Sequence, residues 1–235
     1  LPNNDGFTLT ELAIVLVIVA LLVGGMLVPL TAQREIQNTI ETQKQLADIR
    51  DALIGFAAAN GRLPRPATSL ADGTEKAVPC GVNNDVACTG FIPWTTLGVK
   101  KSDAWNKLIG YSVTPAYTDS QITLNSTGSK RVQTRDKTGA LSDLIGSANC
   151  LTNGPCAAVV IFSAGKNNWG TSEDGIAFPN ESSNNADETT NASATFSFIA
   201  RSPGTVAGGG EFDDIVVWIS PNLLFSRLLA AGRLP

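Results

Sequence analysis

Histidine is absent from the 235 residues. With it go His-based triads, His metal sites and the commonest general base. The side chains left that could do chemistry are cysteines and carboxylates. Four cysteines fall as two close pairs, Cys80/Cys88 and Cys150/Cys156. Neither is a C-x-x-C, so thioredoxin-like redox chemistry and zinc ribbons are poor fits. An even count fits two short-loop disulfides, Cys80–Cys88 and Cys150–Cys156, in an oxidising compartment; buried free thiols and a metal site are the alternatives. Eight acids lie between Glu173 and Asp214, with Arg201 the one base among them. The triple glycine in "VAGGGEFDD" has no following Lys-Ser/Thr and reads as a turn, not a phosphate-binding loop. One more carboxylate stands apart. Glu11 precedes a run, Leu12 to Gln33, that carries no charge at all.

The elements that must position these groups follow from hydrophobic period. Twenty-two uncharged residues exceed the about 20 that span a bilayer core and the ~7–15 of a cleavable signal. Ile36, Ile40, Ile49, Leu53 and Phe56 or Ala57 then recur at helical spacing, opposite Arg34, Glu41, Lys44, Asp48 and Asp51. Asn60-Gly61, Pro64 and Pro66 end the pattern. Residues 7–59 therefore read as one helix of roughly 80 Å, with 9–33 the transmembrane half and the rest the amphipathic spine of a head, 60–235. Gly24, Gly25 and Pro29 mark a weak point in it. In the head, 108–117, 121–126, 156–165, 194–200 and 214–220 read as strands, and the "NLLFSRLLAAG" tail as a closing helix with Leu223, Leu224, Leu228 and Leu229 on one side. Residues 169–191 read as polar surface loop, and "KRVQTRDK" (130–137) as the solvated tip of a hairpin. The fold class is α+β, a long helix packed on an antiparallel sheet.

An acid beside a membrane segment has two explanations. Glu11 can be an interfacial residue of the first helical turn, capped by Thr8 or Thr10. Alternatively, it waits for a positive partner from another molecule. The stretch "GFTLTELAIVLVIVALL" resembles the N-terminal motif of type IV pilins and type II secretion pseudopilins, with Gly6, Phe7, Thr8, Leu9 and Glu11 in register. The resemblance implies that a prepilin peptidase cuts between Gly6 and Phe7 and methylates the new N-terminus. It also implies that Glu11 pairs with the Phe7 amine of a neighbouring subunit. Residues 1–6 would then be the remnant of a leader, and the helix would melt near Pro29 as subunits pack. Major pseudopilins of this family carry calcium in a loop before the last strand. Asp174, Glu181, Asp187, Asp213 and Asp214 are the oxygens that would serve here, although the spacing is not that of an EF-hand; a solvated acidic loop is the other reading.

Composition agrees with a structural role. A formal charge of −4 argues against nucleic acid as a partner, since phosphate binding needs a basic surface. No catalytic constellation emerges, so the chain reads as a peptidase substrate rather than an enzyme. Its implied partners are other pilin or pseudopilin subunits, the prepilin peptidase and an inner-membrane assembly platform. The implied course runs from inner-membrane precursor to periplasmic or extracellular filament. A membrane-anchored periplasmic receptor is the rival class.

Overall fold

The computed structural model describes residues 8–150, 155–193 and 196–234, with residues 24–30 described in backbone only. The chain divides into two compact units, Leu1–Ile40 and Glu41–Pro235, and the boundary falls within the helix α1, Leu9–Asn60. In the first unit every described side chain from Leu9 to Val23 is exposed. The α1 backbone stays helical across Gly24, Gly25 and Pro29. Among the described residues no helix is long and apolar enough to cross a membrane.

The second unit is built on the end of α1. Thr42, Leu46, Ile49, Leu53 and Ala57 form a buried stripe at spacings of three and four. The helix stops where Gly61, at φ +72°, takes the left-handed conformation and donates its N–H to the Ala57 carbonyl. Ile36 and Ile40, expected on this stripe, are exposed, and the buried stripe begins at Thr42.

The stripe packs on an antiparallel sheet of β1 (Thr89–Phe91), β2 (Gly110–Val113), β5 (Val159–Ser163) and β7 (Ile215–Ile219), in that order. Strand side chains alternate between faces. Tyr111, Val113, Val159, Ile161 and Ile219 meet α1, while Val160, Phe162, Val216 and Trp218 meet a second core with Val132 and Phe198. That second core belongs to a three-stranded sheet, β4 (Leu141–Ile145), β3 (Arg131–Arg135) and β6 (Ser197–Ile199), in which β3 and β6 run parallel. The expected all-antiparallel sheet is therefore joined by a mixed one. Covered on both faces and paired on both edges, β5 has to be the continuous apolar run the sequence shows.

Several elements differ from expectation. The strand foreseen over 108–117 ends at Val113, because Pro115 opens a turn of helix, α3 (Pro115–Thr118), the second such turn after α2 (Trp94–Leu97). Residues 121–126 are not a strand. Ile122 donates its N–H to Gly61, and Ser126 Oγ holds the Thr123 N–H in a turn. In α5 (Pro221–Ala230), capped by Ser220, Leu224 and Leu228 are buried while Leu229 faces solvent. The hairpin 130–137 is no solvated tip at its ends, since Lys130 is fully buried against Asp85 and Arg135 is held by Asp187. The 169–191 segment contains a helix, α4 (Ala186–Ala192). Both expected disulfides form, Cys80–Cys88 and Cys150–Cys156, with Cα separations of 5.2 and 5.6 Å.

The α1 stripe sets a direct test. Leu53→Ala should destabilise the head by about 2–5 kcal/mol, the usual cost of a core leucine. Ile40→Ala should change it by less than about 0.5 kcal/mol. Thermal or denaturant unfolding of the full chain in detergent micelles distinguishes these outcomes.

Candidate functional site

Two places gather groups that could act. The first is the start of α1. Thr8 stands at the N-cap and Glu11 at the third helical position. Glu11 Oε2 accepts from the Thr8 N–H and from Thr8 Oγ1, each at 2.8 Å, and Thr8 Oγ1 accepts from the Glu11 N–H at 3.3 Å. This is a reciprocal capping box, which satisfies helix-end donors that no carbonyl reaches. One oxygen of the carboxylate is thus engaged within its own chain, on an exposed helix end. Gly6 and Phe7 lie outside the described residues.

The second place is inside the head. Of the five acids foreseen as a ligand set, Asp174 and Glu181 are exposed and apart from the rest. Asp187 is 1 % exposed and already spoken for. Arg135 and Arg201 both donate to it at 2.8–3.1 Å, and Arg201 stacks over Phe212 at 4.4 Å. Two guanidinium groups, one of them the acidic segment's one base, are therefore the reason this carboxylate can be buried. Asp213 and Asp214 do converge, and with them a residue outside that set, Glu188. One carboxylate oxygen of each lies within 4.8 Å of the others.

The local sequence explains the convergence. Glu188 and Asn191 lie three apart on α4 and share one face. Asn191 holds Asp214 Oδ2 at 2.8 Å, and Glu188 Oε1 accepts the Asp213 N–H at 3.0 Å. Glu188 Oε2 takes Asn168 and Asn185, each at 3.0 Å. From the other side comes the turn after β5. Gly165, at φ +58°, passes so close that a Cβ would lie 2.2 Å from Asp213 Oδ1. Asn168 and Trp169 also have positive φ, 39° and 45°. This backbone aims the carbonyls of Ala164, Asn167 and Asn168 at Lys107 Nζ, at 3.2, 2.7 and 2.7 Å.

The electrostatics follow from burial. Burial pushes the Asp213 carboxyl up to about 6; the Asn167 N–H opposes this and the Glu188 charge adds to it. Asp214 is raised well above the usual carboxylate range by burial, against the Asn191 hydrogen bond and with the help of Glu188 and Asp213. Lys107 is lowered by burial, and the charges of Asp213, Asp103, Asp214 and Glu188 offset part of that. Calcium takes six to eight oxygens. Three carboxylates converge here, and the nearby carbonyls already bind an ammonium.

Sequence reasoning passed over Glu188, Lys107 and Asn191. For Glu188 and Asn191 a helical three-residue spacing was the available signal, hidden in a segment that reads as loop. For Lys107, set in "WNKLIG", there was none.

Residues 1–27 match the family model described as the prokaryotic N-terminal methylation motif, the signature of type IV pilins and pseudopilins. No curated protein and no solved structure matches the chain.

The carboxylates of the head predict a pH response. An acid whose folded pKa is raised binds its proton more tightly when folded, so it favours the folded state below the unfolded pKa and that contribution is lost as pH rises through the folded one. For Asp213 the window runs from about 4 to about 6. Asp213→Asn should raise the Tm at pH 7.5 and flatten the slope of Tm between pH 4 and 6. Thermal unfolding across that range measures both.

Proposed function

We propose that the chain is the precursor of a subunit of a type IV pilus-like filament, either a pilin or a type II secretion pseudopilin. The observation that carries this reading is the N-terminal methylation motif, with Gly6, Phe7 and Glu11 in register. In the proposed course, prepilin peptidase cleaves between Gly6 and Phe7 and methylates Phe7. Residues 9–33 hold the precursor in the inner membrane until an assembly platform adds it to the filament, where Glu11 pairs with a neighbour's Phe7 amine. The exposed side chains support this. Leu12, Ile14, Val15, Leu16, Val17, Ile18, Val19, Leu21, Leu22 and Val23 are each about half exposed or more. A contiguous apolar surface of that extent calls for lipid or other subunits to cover it. Ile36 and Ile40 are also exposed on α1. A head of some 175 residues, large for a major subunit, favours a minor or specialised role, and nothing in its chemistry requires an enzyme.

The capping box makes the test sharper. Breaking one member of a buried ion pair costs about 3–5 kcal/mol, whereas loss of an N-cap costs about 1 kcal/mol. Glu11→Ala should therefore drop out of sheared filaments at matched membrane levels, while Thr8→Val, which keeps the charge and weakens the cap, should still assemble. Mass spectrometry of the filament should find Phe7 at the N-terminus. Wild-type incorporation of Glu11→Ala would leave the cap as the whole role of Glu11 and overturn the reading.

Within the head, we infer that Lys107, rather than calcium, supplies the positive charge for Glu188, Asp213 and Asp214. Lys107→Met should lower stability by about 3–5 kcal/mol, as for a buried charge left unpaired. Calcium chloride should leave the wild-type Tm unchanged. A Tm that rises with calcium in the wild type would restore the metal reading.

A further inference from the structure

Beside the three carboxylates lies a cavity of about 340 Å³, within the range of small-molecule sites. It depends on what β2 lacks. Gly110 lines it, and a Cβ there would lie 2.3 Å from the Phe162 ring. A side chain at Gly110 would push that ring into the space. Phe91, Phe162 and Phe178 make most of the wall apolar. Such a wall normally closes on itself or on an apolar ligand.

Two of the cavity's lining residues are acids. Glu188 and Asp214 both face it, 1 % and 6 % exposed. Glu188 has donors on both oxygens, as described above. Asp214 receives Asn191 on Oδ2 and, among the described residues, no hydrogen bond on Oδ1. Buried polar groups normally find partners. Here an acceptor on a buried aspartate that lines the cavity is left without one. Lys107 is the ammonium beside these carboxyl groups, and its donors are directed at three backbone carbonyls.

We propose that this cavity binds an ammonium group carried on a short apolar stem, with the charge at Asp214 Oδ1 and the stem among Phe91, Phe162 and Phe178. The inference is independent of filament assembly, since every residue it uses belongs to the head unit. The same chemistry is offered by a free small amine and by a lysine side chain of another polypeptide.

The full chain in detergent micelles, with a micelle blank, allows a calorimetric test with three probes: n-pentylammonium chloride, n-pentanol and a capped lysine, Nα-acetyl-lysine methylamide. Pentylammonium should bind at one site, at least tenfold more tightly than pentanol. Asp214→Asn should weaken it at least tenfold, and Ala192→Phe, which fills the cavity from its exposed lip, should abolish it. Capped lysine binding more tightly than pentylammonium would assign the ligand to a protein side chain, and the reverse order to a free amine; either supports the site. Equal binding of pentanol would reduce the cavity to an apolar hole, and unchanged binding in Ala192→Phe would place the amine elsewhere. Calcium chloride giving the Asp214-dependent heat in place of the amine would make this a metal site. Any of these three results, or no binding by pentylammonium, overturns the proposal.

Discussion

The contact on which the head depends is the seating of one stripe of α1 on one face of the four-stranded sheet. Leu46, Ile49, Leu53 and Ala57 meet Tyr111, Val113, Val159 and Ile161. Fully burying a large apolar side chain is worth about 1.5–3 kcal/mol, so this seam is a main source of stability. It also dictates what the other face does. Because side chains alternate along a strand, fixing Tyr111 and Ile161 toward the helix fixes Gly110 and Phe162 away from it. A slip of one residue would put both in the helix seam and Tyr111 in the second core. The cavity on the far face thus owes its place to a helix that does not touch it.

Charge is handled in two different ways on that far side. Asp187 is buried with two guanidinium groups, and Arg201 also donates to the carbonyls of Gly204 and Gly210. That arrangement is closed: every charge has geometry that offsets its desolvation. Glu188, the next residue on α4, and Asp213 and Asp214, just before and at the edge of β7, are hydrogen-bonded but not neutralised to the same degree. Their single ammonium, Lys107, rests on carbonyl oxygens. Asp213 Oδ1 is buried without a donor. Neighbouring acids in one short segment therefore differ completely in what they can do, because the strands and α4 deliver the guanidinium groups to one and not to the others.

That difference marks the limit of what the sequence discloses. The helix, its stop at Gly61, the buried strand β5, the closing helix and both cysteine pairs were legible, since each follows from local period, turn chemistry or short separation. The pairing of β3 with β6 was not, for it joins Arg131 to Ser197, 66 residues apart. Nor was the choice of Glu188 over Asp187. Adjacent acids on a helix face about 100° apart, and which one meets Arg135 and which meets Asp213 is decided by tertiary placement. Lys107 fares likewise, because burial of a lysine rests on carbonyls supplied by a turn 57 to 61 residues away. The exposure of Ile36 and Ile40 has a similar origin: an apolar stripe tells that something covers it, not whether the cover is the chain's own head.

At the other end of α1, the capping box resolves a difficulty in the proposed course of assembly. A carboxylate held in reserve for a partner has to persist near a membrane before that partner arrives, and an unsatisfied acid there is costly. In the single chain Glu11 already accepts two hydrogen bonds from Thr8 and lies at the favourable end of the helix dipole. Those contacts are local and weak, about 1 kcal/mol for the cap, so they hold the acid without committing it. A neighbour's ammonium in a low-dielectric bundle offers a larger interaction, and the exchange is downhill only if the amine arrives in register. An amine displaced along the axis would find Glu11 still bound to Thr8, and the cap would compete with the misplaced contact. The same three-residue spacing that starts the helix can in this way discriminate against wrong addition, with Thr8 as the competitor that a correct neighbour has to outbid.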